Sequence, residues 1–140
     1  MGIDRRSFPA AAVAGAMSLA ALQAGAATPA DLQMRFETEA RAAGSGSSAF
    51  SAPRGEAFFK ATHGAEWSCA SCHTADPLAP GKHAKTGKPI APLAPAANAE
   101  RFTDAATVDK WFRRNCNDVL GRACTAREKG DVLQYLMSLK

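Results

Sequence analysis

Residues 69–73 read Cys-Ala-Ser-Cys-His, a C-x-x-C-H. Two thiols one helical turn apart can add to the two vinyl groups of a haem, and the imidazole that follows is carried under the iron. Rival uses of these thiols fit less well. A zinc site built from four cysteines prefers two close pairs, whereas the remaining cysteines, Cys116 and Cys124, have seven residues between them. A thioredoxin-like dithiol expects a βαβ setting, and no alternating strand pattern is found. The motif therefore calls for one covalent haem c attached at Cys69 and Cys72, with His73 as proximal iron ligand. The second ring nitrogen of His73 is expected to donate to a backbone carbonyl that fixes its tautomer, in the segment Pro89 to Pro95.

What lies across the iron decides what the protein can do, since Met or His there saturates the metal. Met34 and Met137 fall in helices and read as packing residues. His63 and His83 each lie ten residues from His73, in polar, glycine-containing surroundings. Asn115 is the unusual candidate, an amide on an apolar helical stripe that must find a partner or cost about 1–3 kcal/mol. One reading is an amide bonded to backbone where its helix ends, near Asn115-Cys116-Asn117. The other is an amide oxygen facing the iron, a weak ligand that a small molecule displaces. Cys116 and Cys124 pair by default in an oxidising compartment, and so short a loop contributes roughly 2–3 kcal/mol. Such a bond would pin the helix that bears Asn115.

That compartment is indicated by the first residues. Asp4, Arg5 and Arg6 precede an uncharged, Ala-rich stretch that ends in Ala24-Gly25-Ala26-Ala27, the layout of a secretory signal. Residues 1–27 are expected to be a cleaved leader and 28–140 the functional domain, exported to the periplasm. An uncleaved membrane anchor fits less well, because few large apolar side chains would face lipid. Without the leader the formal charge falls from +4 to +3. The basic residues are scattered, which excludes a nucleic-acid footprint.

The elements that must position the chemistry are helical. Thr28-Pro29-Ala30-Asp31 opens a helix to about Ala43, with Leu32, Phe36 and Ala40 at intervals of four. Pro53 to Ala61 follows, with Phe58 and Phe59 as its apolar face. Five prolines between Pro77 and Pro95 predict an irregular loop. Val108, Trp111, Phe112, Asn115 and Val119 make one stripe of a helix starting near Thr103 or Asp104. Thr125-Ala126-Arg127-Glu128 is a capping box opening a last helix whose buried stripe is Val132, Leu133, Leu136 and Met137. The class is all-α, with a long Pro-rich loop that needs a cofactor to pack against.

Three segments are more specific still: residues 86–95, TGKPIAPLAP; residues 101–104, RFTD; and residues 111–117 with 121–124, WFRRNCN and GRAC. From about Leu32 to Leu139 the chain resembles the SHP (sphaeroides haem protein) family of high-spin monohaem cytochromes c, related to cytochrome c″. The resemblance implies a class I cytochrome c-like fold with an extra N-terminal helix. It also implies a distal ligand just before the third cysteine, Asn in SHP proteins and His in cytochrome c″. Here that residue is Asn115, and the implied disulfide is Cys116–Cys124. Lys88, Arg101 and Trp111 match positions near the haem. Residues 74–83 look closer to the cytochrome c″ branch. The expected function is binding of a diatomic, O2 or NO, when Asn115 leaves the reduced iron. A dihaem cytochrome c and a membrane b-type cytochrome are the expected redox partners of a monomer. Rival expectations are a plain low-spin electron carrier, or a small reductase acting on peroxide or hydroxylamine.

Overall fold

The computed structural model describes residues 26–45 and 49–140. In chain order its elements are α1 (Pro29–Ala42), α2 (Ala52–Lys60), α3 (Cys69–His73), β1 (Gly81–Lys82), β2 (Pro89–Ile90), α4 (Ala105–Leu120) and α5 (Ala126–Ser138). Apart from Ala26 and Ala27, the expected leader lies outside the described residues. Among the described residues no helix is long and apolar enough to cross a membrane.

Each helix starts where a side chain can satisfy its free amides. In α1 the Thr28 hydroxyl accepts from the Asp31 amide at 3.1 Å and the Asp31 carboxylate accepts from the Thr28 amide at 2.9 Å. Ser51 caps α2, Asp104 caps α4 and Thr125 caps α5. The last of these is the capping box expected from the sequence. Glu128 closes that box and also accepts two hydrogen bonds from the Arg122 guanidinium, at 2.7 and 2.9 Å. The Arg122 bonds above all, against the opposing effect of burial, hold the Glu128 carboxyl below the usual carboxylate range. A depressed folded-state pKa stabilises the fold above the unfolded value and loses that contribution as pH falls through the folded one. Glu128→Gln is therefore expected to lower the melting temperature at neutral pH and to converge with wild type in acid, as thermal scans across pH 7 to 3 would show.

Helix α5 is the centre of the molecule, flanked by α1 and α2. Leu32 and Phe36 of α1 pack with Val108 and Leu133, and Phe59 of α2 packs with Val132, Tyr135 and Leu136. Phe102 and Phe112 touch both groups and join them. Helices α2 and α5 meet backbone to backbone: a Cβ at Gly55 would lie 1.9 Å from the Asp131 carbonyl oxygen. The buried Asp131 carboxylate ties the same crossing, accepting from the Ser51 amide at 2.7 Å and from Arg54 Nε at 2.9 Å.

The Pro-rich segment has little regular structure, as expected, apart from β1 and β2, which pair antiparallel with Gly81 opposite Ile90 and Lys82 opposite Pro89. Two local expectations are corrected. Helix α4 does not stop near Asn115 but runs to Leu120, where Gly121 at φ +67° adopts the left-handed cap that glycine tolerates. Met34 and Met137 are not core, being 60% and 37% exposed. The periodicity placed them beside buried neighbours, but each lies at the solvent edge of its helix.

Candidate haem site

Helix α3 is a single turn and little more, yet it has its own capping box. Ser68 accepts from the Ser71 amide at 3.2 Å, and Ser71 Oγ accepts from the Ser68 amide at 3.0 Å. The helix ends at His73 because Thr74 takes φ +64° and ψ 164°, a region that costs a non-glycine residue about 1–3 kcal/mol. Its hydroxyl donates to the Asp76 carbonyl at 2.5 Å. The hairpin sits directly on this turn: a Cβ at Gly81 would lie 2.1 Å from the Cys72 carbonyl oxygen, and the Ala84 amide donates to Cys72 Sγ at 3.3 Å.

Between α3, the hairpin and α4 is a mainly apolar cavity of about 580 Å³, within the range of cofactor pockets. Cys69, Cys72, His73, Lys88, Arg101, Trp111 and Asn115 all line it. So do Cys116 and Cys124, whose sulfurs are bonded at 1.95 Å in the structure. A smaller cavity of about 220 Å³ shares Phe112 and Cys124 with it but holds neither a free thiol nor an imidazole.

The donor set fits a covalently bound haem. Cys69 and Cys72 are free thiols, and burial raises that of Cys69 to about 11. Burial, and then the charge of Arg101, pull His73 down to about 4, so at neutral pH its imidazole is uncharged and keeps a lone pair for a metal. The His73 ring lies 6.4 Å from that of Phe59. One expectation fails here. His73 Nδ1 is buried without a hydrogen-bond partner, and the Ala91 and Pro92 carbonyls accept instead from the Arg101 guanidinium, at 2.7 and 2.9 Å.

The other candidates for the iron are used elsewhere. His63 Nε2 is 2.8 Å from the Phe58 carbonyl and its ring leans on that of Phe58 at 48°, with centroids 4.4 Å apart. His83 lines the cavity, but its Nδ1 accepts from the Lys85 and Thr86 amides, both at 3.3 Å. An amide can only donate, so the proton of His83 is on Nε2 and its lone pair is already taken. Neither Met34 nor Met137 lines the cavity. Asn115 does, half-buried in mid-helix and next to the buried Cys116.

Two aromatic lining residues were not singled out as site residues from the sequence. Trp67, two residues before the motif, carries the Lys85 ammonium 4.6 Å above its ring; an aromatic this close to C-x-x-C-H was the available signal. Phe102, the aromatic of the RFTD segment, lines the wall at φ +62°.

Residues 45–136 match a family described as "Domain of unknown function (DUF1924)". The chain is 45% identical over 117 residues to the cytochrome c-type protein SHP of Cereibacter sphaeroides, covering 81% of this chain and 85% of that one. Among solved structures it resembles oxidised SHP, described as an oxygen-binding cytochrome c, with a TM-score of 0.73 and 44% identity over 82% of this chain and all of the other. It also resembles the solution structure of cytochrome c″ from Methylophilus methylotrophus, described in terms of haem-ligand detachment. There the TM-score is 0.68 at 39% identity, over 79% of this chain and 93% of that one. With such identity over most of both chains, the protein belongs to the SHP family of monohaem c-type cytochromes.

Proposed function

We propose that this is a periplasmic cytochrome in which Cys69 and Cys72 attach the haem and His73 holds the iron. The Asn115 side-chain oxygen completes the oxidised state and is released on reduction, so that O2 or NO can enter. The observation that carries this reading is the donor inventory of the cavity, where no thioether is present, His83 has spent its lone pair, and Asn115 is the amide on the α4 wall. When bound, the haem supplies a one-electron couple and an iron position open to a diatomic.

The protein residues do the rest. The apolar wall of Phe58, Phe59 and Leu136 excludes water from one side of the cavity. The Cys116–Cys124 bond clamps the α4 backbone beside Asn115 to the start of α5, so a movement of the amide is confined to its own side chain. That SHP is described as oxygen-binding, and cytochrome c″ in terms of ligand detachment, supports the reading. We place a dihaem cytochrome c and a membrane b-type cytochrome upstream as electron donors to a monomer.

Optical spectra of the purified holoprotein test this reading. A high-spin ferric spectrum, with a dithionite-reduced form that takes up carbon monoxide, is the expected result. A low-spin spectrum in both states, indifferent to carbon monoxide, would instead leave a plain electron carrier.

A further inference from the structure

Helix α4 lines the cavity with two rows of side chains, offset by one position. The inner row includes Phe112 and Asn115, both half-buried; the outer row is Thr107, Trp111, Arg114 and Asp118, each of them exposed. The outer row is therefore a rim, where the cavity meets solvent along the helix. Trp111 is the one large ring on it. It is 45% exposed and also lines the cavity, one turn ahead of Asn115, at the i, i+4 spacing that makes helical side chains neighbours. Two charges hold that ring in place. The Lys110 ammonium lies 5.5 Å and the Arg114 guanidinium 5.3 Å from its centroid, within reach of a cation–π attraction. Neither cation makes an ion pair among the described residues.

We propose that Trp111 is the gate to the ligand side of the iron and selects ligands by size: its ring closes the α4 rim beside Asn115, Lys110 and Arg114 hold it closed, and a ligand passes when the ring swings outward. The inference rests on the reading that Asn115 leaves a position open on the reduced iron. A ring on an exposed rim can turn about its own side-chain bonds from one staggered position to another while the backbone stays still. Each cation–π contact at an exposed site is worth about twofold to fivefold in the ratio of closed to open ring. A gate slows entry and exit alike, since both pass through the open state, and so leaves affinity unchanged. A residue that touches the bound ligand changes affinity instead.

The test compares the dithionite-reduced wild-type holoprotein with Trp111→Ala and with the double variant Lys110→Gln, Arg114→Gln. Association and dissociation rates of carbon monoxide and of the bulkier tert-butyl isocyanide, by stopped flow, are the readouts. In Trp111→Ala carbon monoxide should enter and leave about tenfold faster, with its affinity held within about twofold. The isocyanide should gain more in association rate than carbon monoxide does. The double variant keeps the ring and loses its restraints, and should move both carbon monoxide rates in the same direction by about fivefold. Its changes lie on exposed side chains, so it decides the matter alone if Trp111→Ala does not fold. Unchanged association rates overturn the proposal, as does a change confined to dissociation, which would make Trp111 a contact of the bound ligand. Equal gains for the two ligands in Trp111→Ala overturn the selection by size. A wild type that takes up no carbon monoxide would refute the reading on which the gate rests, and the gate with it.

Discussion

Asn115→His is expected to turn the ferric protein from high-spin to low-spin and to weaken its binding of added anions about a hundredfold. Imidazole is a far stronger ligand for haem iron than an amide oxygen and saturates the oxidised metal. Displacing it adds a cost the native protein does not bear. A loss of about a hundredfold, roughly 2.7 kcal/mol, is the size to look for in equilibrium titrations of the ferric protein with cyanide. The resemblance to cytochrome c″, in which this position is His, makes the change compatible with the fold. Asn115→Ala separates ligation from bulk. If Asn115 is bound only in the oxidised state, its truncation alters the ferric spectrum and leaves the ferrous affinity for carbon monoxide almost unchanged. A ferric spectrum identical to wild type would remove Asn115 from the site.

The second large effect is expected far from the iron. Gly55→Ala puts a methyl group where the Asp131 carbonyl oxygen lies 1.9 Å away, and the obstacle is backbone on both helices, so no side chain can turn aside. The α2–α5 crossing has to open, and overpacking of this kind costs about 1–3 kcal/mol or more. For a domain of this size that is a fall of about 4–12 °C in melting temperature. Opening the crossing would also strain the bonds from Asp131 to Ser51 and Arg54, so the effects of changes at Gly55 and Asp131 should not add. Ala57→Ser, at an exposed position on the same helix, is the control and should stay within about 0.5 kcal/mol. Equal melting temperatures for Gly55→Ala and wild type would mean that the two helices can slide apart at no cost.

The parts of this molecule that could be read in advance are those whose reasons are local. Thr28, Asp104 and Thr125 announce helix starts because a cap needs only its own next three residues. Leu32, Phe36 and Ala40 announce a buried face because the helical period carries that information along the chain. Cys69, Cys72 and His73 are legible because the chemistry they serve fixes their spacing. What escaped the sequence depends on distant partners. The length of α4 beyond Asn115 is set by Gly121 and by Cys124, which holds the far side of the turn. The small β1–β2 ladder forms because Gly81 lets the hairpin rest on α3, a contact no window of residues around the prolines encodes. Met137 has the periodicity of a core residue, but its helix turns that edge to solvent. The Arg101 contact with the Pro92 and Ala91 carbonyls joins segments nine and ten residues apart, a pairing no local pattern announces.

The shortness of α3 bears on how the protein is assembled. Five residues form barely more than one turn, far below the length at which a helix supports itself in water, and Thr74 spends energy to stop it there. Outside the folded domain the C-x-x-C-H segment is therefore extended chain, with both thiols reachable by whatever machinery joins them to the haem. Inside it the same segment is held by the Ser68 box beneath and the Gly81 hairpin above. Because the cofactor fills the cavity, each molecule that has received its haem gains a reason to stay folded that an empty one lacks.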